Sequence, residues 1–134
     1  MSEYGKAAVM AVRYCQSGKA DDPKAAWVAA VLVVFPTSES QRNKGCPRGA
    51  FLGLCEEGLI EGIPPGKYTR SKLNKHYAVR AVRLIRANPA LAGDAKKLWR
   101  RVVNRKTFRP NGQMDVALAL WNACLVLRRR DGDL

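Results

Sequence analysis

Acidic residues are what this sequence lacks where it matters. Between Gly66 and Arg109 there is a single acid, Asp94, against 14 Lys or Arg, while the rest of the chain holds 10 of each sign. The whole formal net charge of +13 is therefore confined to one third of the sequence. Long apolar runs are also missing. The longest apolar stretch, Ala25 to Phe35, falls well short of the roughly 20 residues that span a bilayer and is closed by Pro36. The N-terminal residues, with Glu3 and Lys6, lack the basic and apolar blocks of an export signal. These absences point to a cytoplasmic protein that makes no use of a membrane. Ligand-rich spacings are scarce as well: one histidine and four cysteines, Cys15, Cys46, Cys55 and Cys124, include no Cys-x-x-Cys pair, which excludes the common zinc frameworks and predicts reduced thiols.

What is present describes an all-α fold. At 134 residues, with 47% hydrophobic and 26% charged residues, the chain is expected to form one compact domain over residues 1–134, built from about six helices around one core. Tyr4, Ala7, Ala8, Ala11, Val12 and Cys15 recur at helical spacing and end near Gly18. Asp22-Pro23 reads as an N-cap with proline at the first helical position, and the segment behind it, with Trp27, Val31, Val34 and Phe35 on one side, is apolar all round, as a central helix would be. Thr37 to Lys44 is polar, a loop or a single helical turn, and it delivers Arg42, Lys44 and Arg48 to the next helix. That helix runs from Cys46 to Glu57, with Gly58 as its C-cap. Its Glu56-Glu57 pair stands at the end where the helix dipole disfavours negative charge, so a basic group is expected nearby.

Ile63-Pro64-Pro65-Gly66 enforces a turn, after which Thr69 is the expected cap of a basic helix from Arg70 to Arg86. There Leu73, Tyr77, Ala81, Leu84 and Ile85 form the apolar stripe, and Lys72, His76, Arg80 and Arg83 form a cationic one. Asp94 caps a further helix with Leu98, Trp99, Val102 and Val103 inward and Lys97, Arg101 and Arg105 aligned outward. A last helix is predicted over Gln113 to Leu127, with a fraying tail from Arg128 to Asp133.

Three constellations bear on chemistry. Pro65-Gly66-Lys67-Tyr68 imitates a phosphate loop, but the upstream glycine is Glu61 and a tyrosine replaces the hydroxyl residue, so the pattern fails. A nucleophile built from Cys46 or Cys55 with His76 and Glu56 or Glu57 is permitted by the residue types but required by no spacing. No catalytic residue, cofactor, metal or small-molecule ligand is therefore assigned. The charge segregation is the stronger signal: such a surface repels itself unless a polyanion neutralises it. The candidate nucleic-acid-binding residues are Lys67, Arg70, Lys72, Lys75, His76, Arg80, Arg83, Lys97, Arg101 and Arg105, with Tyr68 or His76 available to stack on a base. The partner is DNA or RNA, read through a helix-turn-helix variant with a long turn, or alternatively an acidic protein surface docked by an interaction module, an inhibitor or accessory factor in phage–host conflict.

The strings YGKAAVMAV, GCPRGAFLGLCEEGLIEGIPPGKYTRSK and QMDVALALWNACL resemble a family of small bacterial proteins of unassigned function. The resemblance spans most of the chain and implies a single intact domain and a bacterial or phage setting. It carries over no activity and no catalytic residue.

Overall fold

A computed structural model describes residues 1–103 and 109–127. The predicted phosphate contact Arg105, part of the loop before Gln113 and the tail from Arg128 lie outside the described residues. Six long helices account for most of the described chain: α1 (Glu3–Gln16), α2 (Pro23–Val34), α4 (Gly45–Glu56), α5 (Lys72–Ala87), α6 (Ala95–Val103) and α7 (Gln113–Asn122). The polar stretch after Phe35 contributes one helical turn, α3 (Glu39–Arg42), and Pro89–Gly93 forms a 3-10 turn between α5 and α6. Among the described residues no strand forms, only an isolated antiparallel bridge between Ile60 and Val126.

The helix boundaries follow local chemistry. Ser2, Asp22 and Ser71 accept from the backbone N–H three residues on, opening α1, α2 and α5, and Asp94 does the same for the N–H of Lys97. The cap of α5 is thus Ser71 rather than Thr69, whose hydroxyl instead accepts from the N–H of Ser71 at 3.0 Å. At the end of α4, Gly58 takes φ +76°, and the N–H groups of Gly58 and Leu59 return to the carbonyls of Cys55 and Leu54 in a Schellman arrangement. α7 ends five residues earlier than its apolar register suggests. The chain turns through Cys124 at φ +61° and then pairs with the segment after α4: Glu61 N–H donates to Leu125 O, and Leu127 N–H to Leu59 O.

α7 is the central element, in contact with α1, α4, α5 and α6 and burying Met114, Val116, Ala117, Leu120 and Trp121. α2, expected at the centre, lies at the surface. It buries Ala26, Trp27, Ala30 and Val31 against α1 and α4, with Trp27 stacked on Phe51 at 5.2 Å, while Val28, Leu32 and Val33 are more than half exposed. No described element covers that outer side. The inward face of α5 is also rotated from its predicted stripe: Ala78, Ala81, Val82 and Ile85 are buried, and Leu73 is 59% exposed.

The approach of α4 to α5 positions the site. A Cβ on Gly49 would come within 2.9 Å of the Ser71 Cβ, and one on Gly53 within 2.5 Å of the Lys75 Cα and Cβ. Only glycine at these two positions, one helical turn apart, lets the first turn of α5 lie directly on α4.

Candidate nucleic-acid interface

Glu56 organises the turn into α5. One carboxylate oxygen accepts from the N–H groups of Tyr68 (2.8 Å) and Thr69 (3.2 Å), and the other from Lys75 Nζ at 2.8 Å. Lys75 also pairs with Glu57 at 3.2 Å, so it is the basic group expected beside the acidic end of α4. The Lys75 bond holds the Glu56 carboxyl below its ordinary range against the opposing effect of burial, with the two backbone donors assisting. The hydrogen bond to Glu56 correspondingly raises Lys75. Tyr68 is fixed further by its hydroxyl, which donates to Pro64 O at 2.7 Å.

The predicted cations divide into three groups on this frame. Lys67, Arg70, Lys72, Arg83, Lys97 and Arg101 are exposed. Lys75 and Arg80 are engaged with the protein itself: Lys75 in the ion pairs above, and Arg80 through Nε to Val102 O (3.1 Å) and Nη2 to Arg101 O (3.2 Å), where it satisfies carbonyls near the end of α6. His76 is exposed beside Tyr77, which in turn meets Trp99 edge-on and joins α5 to α6. Lys72, His76 and Arg83 line a shallow hollow of about 360 Å³ together with Lys75, Glu56 and Glu57.

Arg70 belongs elsewhere. It lines a cleft of about 630 Å³ with Lys24 of α2 and Arg48 of α4, walled by Val28, Leu52 and Tyr68, with Thr69, Ser71 and Asn74 on its polar side. Lys24 and Arg48 were not among the predicted binding residues. The signal for Arg48 was its place in the basic run that opens α4, but nothing local marks Lys24. Cys46 also lines this cleft, whereas His76 lines the other hollow and Cys55 is fully buried with its thiol pushed well up by desolvation. Cys46 and His76 thus line different concavities, and Cys55 is closed to solvent. No group of three or more metal-ligating side chains occurs, and no helix is long and apolar enough to cross a membrane, among the described residues.

No curated protein and no solved structure matches the sequence. A family model does, over residues 1–127, and the chain accordingly belongs to the family of unknown function DUF6979.

Proposed function

We propose that the protein binds the phosphate backbone of nucleic acid through the cationic surface of residues 67–109. The observation that carries this reading is the confinement of the whole net charge to that segment. Arg70, Lys72, Arg83, Lys97 and Arg101 are exposed and form no ion pair among the described residues, so their charge is available to an anion. Phosphate contacts of this kind position a protein without reading bases, so sequence preference should be weak. Lys75 and Arg80 are better assigned to holding the fold, because both are already bonded within it.

The test is fluorescence anisotropy of labelled DNA and RNA at several salt concentrations, with the pair Arg83→Glu and Lys97→Glu. Each neutralised phosphate of B-form duplex contributes about 0.9 to the log–log salt slope, so losing two contacts should flatten it by about 1.8. Absence of binding to either polymer at low salt would end the reading. A second reading, docking of an acidic protein partner in a phage–host setting, is favoured by one observation: the uncovered apolar strip of Val28, Leu32 and Val33 on α2, whose Val28 also lines the basic cleft.

A further inference from the structure

The cleft between α2, the first turn of α4 and the segment leading into α5 is a separate concavity from the hollow lined by Lys72, His76 and Arg83, and of the surface cations named above it shares only Arg70. Three cations from three separate elements, Lys24, Arg48 and Arg70, line one concavity of about 630 Å³, and no carboxylate stands among its lining residues. None of the three is paired with an acid among the described residues. Like charges gathered in a concavity repel one another more strongly than on an open surface, where solvent screens them, so the arrangement favours an anionic occupant.

The remaining walls describe that occupant. Val28 and Leu52 offer apolar surface, and the Tyr68 ring is held in place by its bond to Pro64 O. Ser71 Oγ accepts from Asn74, and Thr69 Oγ1 accepts from the N–H of Ser71, which leaves the hydrogen of each hydroxyl free to donate. The first turn of α4 borders the cleft through Gly45 and Cys46, and this twelve-residue helix has no side-chain cap, unlike α2 and α5 on either side. Arg48 Nη2 lies 3.6 Å from where a Gly45 Cβ would stand, so the guanidinium is folded back along that same turn. A volume of this size suits a ligand with a flat apolar part as well as a charged head.

We propose that the cleft binds a nucleoside phosphate through a terminal phosphate monoester, either a free mononucleotide or the phosphorylated end of a strand. A monoester carries nearly two charges at neutral pH and three acceptor oxygens, which matches several converging donors better than an internal diester does. A terminal group can also enter a concavity that the middle of a strand passes over. The strand-end source rests on the nucleic-acid reading above, whereas the mononucleotide source stands without it.

The experiment uses the full chain, with single-stranded oligonucleotides bearing a 5′-phosphate, a 3′-phosphate or hydroxyl ends, and with adenosine and uridine 5′-monophosphate titrated calorimetrically. Binding is measured for wild type, Arg48→Ala, Lys24→Ala and Arg83→Glu, with circular dichroism confirming each fold. For the strand end, a phosphorylated terminus should bind about tenfold tighter than a hydroxyl one, and Arg48→Ala and Lys24→Ala should erase that preference while retaining salt-dependent binding. Arg83→Glu should do the reverse. For the free nucleotide, the monophosphates should bind and lose affinity in the two cleft variants. Equal affinity for all strand ends together with no binding of either monophosphate would overturn the cleft assignment, whether or not polymers bind. Monophosphate binding without polymer binding would instead overturn only the surface reading.

Discussion

Glu56 is the residue whose loss should be felt most widely. Its side chain is only 16% exposed, yet its carboxylate receives three donors, two from the backbone of the connector and one from α5. Hydrogen bonds to a charged group are worth about 1.5–3 kcal/mol, and a donor left unsatisfied by truncation costs about 1–3 kcal/mol. Glu56→Ala leaves the Tyr68 and Thr69 N–H groups without their acceptor and Lys75 with only the more exposed Glu57, so a loss of about 2–4 kcal/mol is expected. Glu56→Gln keeps an oxygen for the backbone donors but removes the charge, and about 1–2 kcal/mol should be lost. The pH dependence distinguishes these effects. Because the folded-state pKa of Glu56 is lowered, its contribution is complete above the unfolded carboxyl value of about 4.3 and disappears as pH falls through the lower folded value. Urea unfolding followed by tryptophan fluorescence at pH 7, 5 and 3 should therefore show wild type and Glu56→Gln separated at the two higher values and converging towards pH 3. A difference that persists unchanged at pH 3, or an alanine variant within about 0.5 kcal/mol of wild type, would refute the anchoring role.

Two further outcomes are expected. Gly53→Ala places a Cβ 2.5 Å from the Lys75 backbone, so α5 must shift, with a loss of about 2–3 kcal/mol measurable by urea unfolding; Gly93→Ala, with open space around its Cβ, serves as a control expected within about 0.5 kcal/mol of wild type. In timed alkylation read by mass spectrometry without reductant, all four thiols should prove free, with exposed Cys124 modified first and Cys55, fully buried and raised in pKa, modified only through unfolding; a Cys46–Cys55 bridge would contradict this.

Much of the fold was legible because its signals are local. Asp22-Pro23, Gly58 and Asp94 act within a few residues of themselves, and the structure places each where its chemistry predicts. The failures share a different cause. Leu125 continues the apolar register of α7, and sequence periodicity cannot see that the carbonyl of Leu125 and the N–H of Leu127 pair with the segment after Gly58. For the same reason α2 reads as central from composition alone, when the position of an apolar helix depends on whether another element covers its far side.

The candidate site lies between these cases. The acidic end of α4 announced a basic partner, but identifying it as Lys75 depends on Gly49 and Gly53, whose missing side chains admit α5 to the surface of α4. That one approach has two consequences. Towards the end of α4 it brings Lys75 to Glu56, so that this cation of the proposed surface is already paired within the fold. Towards the start of α4 it brings Ser71 against Gly49, and Arg70, one residue earlier, then shares a cleft with Arg48 and Lys24. The linear charge count measures how much positive charge the segment holds. The spacing of two glycines decides that Lys75 pairs with Glu56 while Arg70 stands unpaired beside Arg48 and Lys24 among the described residues.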